Sequence, residues 1–346
     1  MIRLKRLGSL LLAGAFTVTG IIGGSGLSVN ASDGSWLNTS DGWKYQVDGE
    51  TKTGWFEDGD TWYYSNDNGI MQTGWVNAGG TWYYMDSSGA MVTGWVNAGG
   101  TWYYMNSSGA MATGWEKIDG YWYYFDESGL MQTGWIDAGG TWYYMNSSGD
   151  MQQGWLSDGG SYYYCDRSSG AMQAGVKVNG INLDSSGVAE NTSYSAEKIP
   201  VMIRANEVVK SICNPDDSLE SKQNACYTWV AEFPYMLRDY PIGTYYNSGK
   251  WSCYDAHYAD NILNSKGELE QPGAECVGEA AALAYLFNEL NFGTVYLDHS
   301  DVHGWVEVND RFWDPLNQES KKNGKNWLNI APSEYEMSSG YHWVEI

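Results

Sequence analysis

Apolar and aromatic residues recur along residues 36–175 in a fixed order that repeats every twenty positions. The unit beginning at Thr73 reads TGWVNAGGTWYYMDSSGAMV and returns almost unchanged at Thr93. A partial copy begins at Gly42 and a degenerate one continues to about Val188. Within each unit an aromatic stretch lies between glycine-containing turns, and side chains of a strand alternate between two faces. The pattern therefore predicts a short strand, a turn, a second strand and another turn in every unit.

Stacking of these hairpins follows from their size, because a single hairpin is unstable in water and must bury its faces against neighbours. We expect a β-hairpin solenoid whose tryptophans form much of its core. The same rings predict cages in which three aromatic faces enclose a quaternary ammonium group or a sugar. The candidate cage residues are Trp55, Trp62, Trp75, Trp82, Trp95, Trp102, Trp115, Trp122, Trp135, Trp142, Tyr64, Tyr84, Tyr104, Tyr124 and Tyr144, with an aromatic of the next unit.

This unit, a Gly-Trp step followed by WYY, a glycine turn and TGW, resembles the choline-binding or cell-wall-binding repeat of Gram-positive surface proteins. Related repeats occur in glucan-binding enzymes and clostridial toxins. The resemblance implies noncovalent retention on a cell-wall polymer, either a choline-decorated teichoic acid or a glycan. The aromatic skeleton is shared by both kinds of repeat, so the sequence leaves the ligand open.

A different pattern begins at Glu197, where the twenty-residue period ends. Two stretches, IPVMIRANEVVKSICN and SKQNACYTWVAEFPYML, are typical of helices. After Cys276, apolar residues recur at helical spacing along one face. Pro272 and Gly273 precede this helix, which we expect to begin near Glu275 with Cys276 in its first turn. A helix N-terminus stabilises a thiolate, the nucleophilic form of cysteine.

The stretch HGWVEVNDRFWDP, from His303 to Pro315, predicts a hairpin whose turn contains Asn309 and Asp310. This register makes His303 and Asp314 diagonal neighbours on one face, within reach of a hydrogen bond. A thiol, an imidazole and a carboxylate are the groups of a nucleophile, its base and the acid that orients the base. Cys276, His303 and Asp314 are therefore the candidate catalytic residues.

These three motifs resemble those of the transglutaminase-like superfamily, in which a Cys-headed helix packs on a sheet that carries His and Asp. The resemblance implies an α+β, papain-like core over residues 197–346. Glu279 departs from the family pattern, which commonly has an aromatic there. The oxyanion donor is not evident, although Trp251, Tyr258 and Gln271 are candidates.

Composition adds location and excludes some partners. Residues 1–31 read as a signal peptide, with a basic front, an apolar run and a small-residue cleavage site. No other stretch is apolar enough to span a membrane. The formal net charge of −23 argues against nucleic acid and anionic lipid as partners. We expect a two-domain protein of the cell surface, with repeats over 36–188, a linker over 189–196 and the second domain over 197–346.

The remaining cysteines point to packing or a disulfide. Cys165 takes a slot that methionine or phenylalanine fills in other units, so we expect it to be buried. Cys213, Cys226 and Cys253 allow one disulfide, most simply Cys213–Cys226, although sequence does not fix pairing. No metal or cofactor motif is evident. The leading interpretation is a cysteine transamidase or peptidase acting on a protein or peptide amide, and the alternative is a non-catalytic adhesion protein with an inactive domain.

Overall fold

The computed structural model describes residues 34–233, 251–264, 276–299, 303–315 and 342–346. The predicted signal peptide therefore lies outside the described residues. The chain forms two compact units, one containing the residues up to Val76 with Tyr84–Met91 and the other containing Asn77–Tyr83 with Val92–Ile346. Among the described residues, no helix is long and apolar enough to cross a bilayer.

The repeat region consists of short antiparallel strands. They are β1 Ser35–Thr39, β2 Gly42–Val47, β3 Glu50–Thr51, β4 Gly54–Asp58, β5 Thr61–Ser65, β6 Gly74–Ala78, β7 Thr81–Met85, β8 Gly94–Ala98, β9 Thr101–Met105, β10 Gly114–Ile118, β11 Tyr121–Phe125, β12 Gly134–Asp137, β13 Trp142–Met145, β14 Gly154–Asp158, β15 Ser161–Cys165, β16 Lys177–Val178 and β17 Ile181–Asn182. The predicted repeated hairpins are confirmed.

In the first unit, β1, β2 and β3 form one sheet, and β4 pairs with β5. The amide of Met71 donates to the carbonyl of Trp43 over 2.8 Å, and the amide of Met91 donates to Trp62 in the same way, also over 2.8 Å. These bonds join each hairpin to the one that precedes it. Tyr45 and Phe56 stack at 4.8 Å between ring centres and are both buried.

The second compact unit has the same kind of backbone hydrogen bond between neighbouring hairpins. The amide of Met131 donates to Trp102 over 3.0 Å, that of Met172 to Trp142 over 2.8 Å, and that of Ala189 to Tyr162 over 2.9 Å. The last bond shows that the hairpin series extends through the degenerate copy.

One slot at the end of the second strand of each hairpin is the most deeply buried position of the repeats. Met105, Phe125, Met145 and Cys165 fill it and are each 0% exposed. The predicted burial of Cys165 is thus confirmed, but the expectation that tryptophans form much of the core is wrong. The second tryptophan of most units is about half exposed, with values from 42% for Trp122 to 46% for Trp142. Alternation places that ring on the face opposite the buried slot.

The C-terminal part contains α1 Ser193–Ile212, α2 Leu219–Ala231, α3 Trp251–Leu263 and α4 Cys276–Leu290. The first of these begins within the predicted linker, where the side chains of Thr192 and Ser195 cap it reciprocally. The two predicted helical stretches are confirmed as α1 and α2 as far as the structure describes them.

A four-stranded antiparallel sheet accompanies these helices. Its strands are β18 Val295–His299, β19 Gly304–Val308, β20 Arg311–Trp313 and β21 His342–Glu345, in the spatial order β20-β19-β18-β21. The predicted turn is confirmed, because Val308 pairs with Arg311 and both Asn309 and Asp310 have positive φ. Helices and strands together give the expected α+β composition.

Helix α4 is the centre of this part of the chain. It packs against α1, α2, α3, β18 and β19. Residues 280–287 are each 0% exposed, so the helix is buried on all sides rather than on the one face that the sequence predicted. The alanines explain the difference, since small side chains allow neighbouring elements to approach every face of a helix.

The last two hairpins, β14–β15 and β16–β17, share a hydrophobic core with the helices. Trp155, Tyr164, Ile181 and Leu183 belong to the same cluster as the buried residues of α1, α2 and α4. Polar contacts reinforce this packing. Arg167 Nη2 lies 2.5 Å from Glu289 Oε1, with both side chains nearly inaccessible.

Candidate functional site

The aromatic cage at Trp95 is built by one hairpin and its successor. Antiparallel register places Trp95 opposite Tyr104, and the two ring centres lie 5.3 Å apart. Trp102 meets Trp95 edge-on at 6.2 Å. Tyr123 of the next hairpin closes the third side at 4.9 Å from Trp95. The angle between the Trp95 and Tyr123 ring planes is 71°, so the rings form walls rather than a flat stack.

The same arrangement recurs at other predicted cage residues. Trp115 lies 6.3 Å from Trp122, 5.1 Å from Tyr124 and 4.8 Å from Tyr143 of the next hairpin. Ring pairs of the same kind are Trp55–Trp62 at 6.4 Å, Trp55–Tyr64 at 5.1 Å, Trp75–Tyr84 at 5.1 Å and Trp135–Tyr144 at 5.0 Å. Trp62, Trp82, Trp122 and Trp142 are between 42% and 46% exposed, so a ligand can reach these rings.

The sequence predicted that an aromatic residue of the next unit completes each cage, but it did not identify that residue, and it missed the first cage. The third wall is the first tyrosine of the following WYY motif, as in Tyr123, Tyr143 and Tyr163. Alternation along the strand was the available signal, because it turns this tyrosine away from its own hairpin's tryptophan. The first cage uses Trp36 and Tyr45, whose rings are 5.0 Å apart.

The cage series ends at Trp155. Its side chain is 2% exposed, and its indole nitrogen donates to Asn179 Oδ1 over 3.1 Å. The partner Tyr164 is buried at 8% exposure. The Trp155–Tyr164 pair therefore packs in the core shared with the helices, and neither of these two rings is open to a ligand.

The second candidate site lies in the C-terminal part, where His303 precedes β19 and Asp314 follows β20. His303 Nε2 and Asp314 Oδ2 are 2.7 Å apart. The predicted histidine–carboxylate hydrogen bond is therefore confirmed. Asp314 is 0% exposed, whereas the His303 side chain is 23% exposed. The imidazole thus lies between a buried carboxylate and solvent.

Cys276 is the first residue of α4, in the first turn of the helix where the sequence predicted it. Its side chain, like those of Trp251 and Gln271, lies outside what the structure describes, while Tyr258 is buried in α3. The neighbouring backbone is informative, however. A Cβ added to Gly304 would lie 3.0 Å from the Cα of Val277. The residues that follow His303 and Cys276 are thus in contact, which brings strand and helix together at these two positions.

Tyr227 of α2 holds the backbone of Asp314 in place. Its hydroxyl donates to the backbone carbonyl of Asp314 over 2.9 Å. Burial, followed by the charges of Asp314 and Glu279, raises the pKa of Tyr227, so the phenol remains protonated and a donor. Glu279 itself is 3% exposed and lies one turn along α4 from Cys276.

Three of the other cysteines are thiols in the part of the chain that the structure describes. Cys165, Cys213 and Cys226 are buried and free. Cys213 and Cys226 hydrogen-bond through their side chains, which lowers the pKa of Cys213 and raises that of Cys226. The two sulfurs are thus neighbours, as the simplest predicted pairing requires, but they are not joined. Within the described ranges no group of three or more potential ligands for a metal occurs.

Comparison with known proteins identifies the repeats. The family model for the choline-binding repeat matches residues 52–93, 72–113, 92–132, 112–145 and 132–175. These segments carry the cages from Trp55 to Trp142. No curated protein matches the chain.

Solved structures of similar sequence include CbpJ from Streptococcus pneumoniae TIGR4, at 43% identity and a TM-score of 0.43, covering 45% of this chain and 57% of that one. Choline binding protein F from Streptococcus pneumoniae, in the presence of a peptidoglycan analogue, is 38% identical over the same shares of the two chains, also with a TM-score of 0.43. The pneumococcal cell wall endolysin from phage Cp-1, complexed with choline, is 37% identical with a TM-score of 0.28, covering 37% of this chain and 40% of that one. The chain thus spans 57% of the length of the first two.

Proposed function

We propose that this protein is a secreted cysteine enzyme that is held on the cell wall by its repeats and acts on amide bonds through a thioester at Cys276. The repeats bind choline or a similar group on a wall polymer, which the match to the choline-binding repeat supports. The C-terminal part supplies the chemistry on a protein or peptide substrate. The predicted division into residues 36–188, 189–196 and 197–346 belongs to this proposal.

The contact between Gly304 and Val277 carries the catalytic part of the proposal, together with the 2.7 Å pairing of His303 and Asp314. A helix start headed by Cys276 lies against the strand that begins beside His303. Asp314 engages Nε2 of the imidazole, so Nδ1 is the nitrogen that exchanges a proton with the thiol. The carboxylate fixes this tautomer and stabilises the imidazolium that forms during reaction.

The reaction divides into two balanced steps. In the first, the Cys276 thiolate attacks the carbonyl carbon of an amide, a carbon–sulfur bond forms, and the carbon–nitrogen bond breaks as His303 gives its proton to the departing amine. In the second, an amine or water attacks the thioester, His303 takes the nucleophile's proton, and the carbon–sulfur bond breaks to restore the thiolate. An amine produces a crosslink, and water produces hydrolysis.

One observation favours the alternative, a non-catalytic surface adhesion protein. Glu279 is buried one turn from Cys276, and a carboxylate close to a thiol disfavours the thiolate. In that case the cages are the whole function, and the C-terminal part is an inactive module.

Mass spectrometry of isolated cell-wall and surface proteins separates these candidates. The samples are incubated with the mature protein, with Cys276→Ala, or with Cys213→Ala as a matched control, in the presence of a labelled primary amine. New isopeptide bonds or amine labels that only Cys276→Ala abolishes establish transamidation, and new peptide or amide ends establish hydrolysis. Identical products from all three proteins, on material to which the repeats bind, contradict the enzyme and leave the adhesion protein.

A further inference from the structure

Two rings of one cage are hydrogen-bonded to a carboxylate. Asp158 Oδ2 accepts a hydrogen bond from Trp135 Nε1 over 3.1 Å, and its Oδ1 accepts one from the Tyr144 hydroxyl over 3.3 Å. Trp135 lies 5.0 Å from Tyr144 and 4.9 Å from Tyr163 between ring centres. Asp158 thus bonds directly to two of the three rings that enclose this site.

The same device recurs in the other unit of the chain. Asp58 Oδ2 accepts from Trp36 Nε1 over 2.8 Å, and Asp58 Oδ1 accepts from the Tyr45 hydroxyl over 3.1 Å. Trp36 meets Tyr63 of the next hairpin at 4.9 Å. Part of this cage, including Trp36 and Tyr45, lies outside the segments that match the repeat family, which begin at residue 52.

The repeats between these two aspartates have no charged residue at the corresponding position, which lies at the end of the first strand of each hairpin. Ala78, Ala98, Ile118 and Ala138 occupy it in the intervening copies. The Trp115 cage, which corresponds to Ala138, has the same two tyrosine contacts as the Trp135 cage, with Tyr124 at 5.1 Å and Tyr143 at 4.8 Å. The chain therefore contains two cages with corresponding tyrosine walls, of which one has Asp158 bonded to its rings and the other has Ala138 at the corresponding position.

The geometry points to Asp158, and likewise to Asp58, as a residue that makes its cage a preferential site for a cationic ligand, a quaternary ammonium rather than a neutral sugar. This inference rests on the proposed binding function of the cages. A quaternary ammonium cannot donate a hydrogen bond, so it gains from charge and from ring faces alone. A carboxylate held at the ring edges supplies a fixed negative charge, and its hydrogen bonds to the indole and the phenol increase the electron density of both rings.

The size of the effect follows from Coulomb's law. A carboxylate about 7 Å from a bound cation, at the edge of a partly exposed site, strengthens binding by about three- to thirtyfold. Salt weakens this contribution, because the charges are not fully buried. A neutral ligand of the same shape gains nothing from it. The Trp135 and Trp36 cages should therefore fill at lower choline concentration than the Trp115 cage.

Fluorine NMR on the full chain labelled with fluorotryptophan tests this inference one cage at a time. The resonances of Trp135 and Trp115 are assigned by Trp→Phe variants and then titrated with choline and with its neutral carbon isostere, dimethylbutanol. The expected result in Asp158→Asn, which keeps a hydrogen-bond acceptor, is a choline midpoint at Trp135 about three- to thirtyfold higher. The Trp115 midpoint and both dimethylbutanol midpoints should not move.

Ala138→Asp provides the converse test, since it should lower the choline midpoint of the Trp115 cage by a similar factor even if Asp158→Asn disturbs folding. Equal choline midpoints for Trp135 in the wild type and in Asp158→Asn, together with no gain in Ala138→Asp, overturn the inference but leave cage binding intact. Failure of both cage resonances to respond to choline overturns the binding function as well.

Discussion

Replacing Arg167 with methionine removes one half of a buried ion pair that joins the segment after β15 to α4. Arg167 and Glu289 lie 2.5 Å apart, and their side chains are only 9% and 3% exposed. Without the guanidinium, Glu289 remains buried without its counter-charge. Breaking a buried pair in this way typically costs about 3–5 kcal/mol. We expect Arg167→Met to lower the free energy of unfolding by that amount.

A second ion pair, which is exposed rather than buried, provides the matched control. Lys117 and Asp216 lie 3.2 Å apart with side chains that are 46% and 71% exposed. Lys117→Met should change stability by about 1 kcal/mol or less, because an exposed pair contributes little. The double variant Arg167→Met/Glu289→Leu should recover most of the loss, since an apolar pair of similar volume replaces the ion pair.

Urea unfolding followed by far-ultraviolet circular dichroism measures these differences through the helices. The structure also predicts that the last hairpin and the helices unfold together, because they share one core. The reasoning is refuted if Arg167→Met is no more destabilising than Lys117→Met, or if the double variant is no more stable than the single one.

Three further predictions concern the C-terminal part. Burial, followed by the charge of Glu307, raises the pKa of Asp298 to about 8. The protonated group therefore contributes stability that is complete below about pH 4 and is lost as the pH rises through about 8. Asp298→Asn removes this titration, so the variant should show a smaller fall in the urea midpoint between pH 5 and pH 9 than the wild type. Asp314→Asn should slow alkylation of Cys276 by about ten- to a hundredfold, because a charge-assisted hydrogen bond to His303 is lost. Asp310→Asn, in the adjacent turn, should leave the rate unchanged. Equal alkylation rates in the two variants would contradict the role assigned to Asp314. Gly304→Ala should cost about 1–3 kcal/mol in urea unfolding, because the new methyl group meets the α4 backbone, and an unchanged midpoint would contradict that contact.

The features that sequence predicted are those that local rules determine. The twenty-residue period predicted the hairpins, because Gly-containing turns and aromatic strands fix each unit without reference to the rest of the chain. The two-residue turn at Asn309 and Asp310 fixed the register of β19 and β20. That register in turn placed His303 beside Asp314, which the 2.7 Å contact confirms.

The features that sequence did not predict depend on how separate elements pack. Alternation turns Tyr123 away from the tryptophan of its own hairpin, but its contact with Trp95 depends on how the two hairpins pack, which the pattern within one repeat does not specify. Arg167 and Glu289 are 122 positions apart, so their pairing depends on the docking of α4. The burial of α4 on all sides depends on the same docking, since its sequence pattern shows only one strongly apolar face.

The reactivity of the Cys276 thiol shows whether His303 activates it as a nucleophile. The intact protein is treated briefly with iodoacetamide at neutral pH, and the labelled fraction of each cysteine is read by peptide mass spectrometry, for the wild type and for His303→Ala. We expect Cys276 to be alkylated much faster than the buried Cys165, Cys213 and Cys226, and His303→Ala to remove most of this difference. Slow labelling of Cys276, or fast labelling that His303→Ala leaves unchanged, would contradict the account.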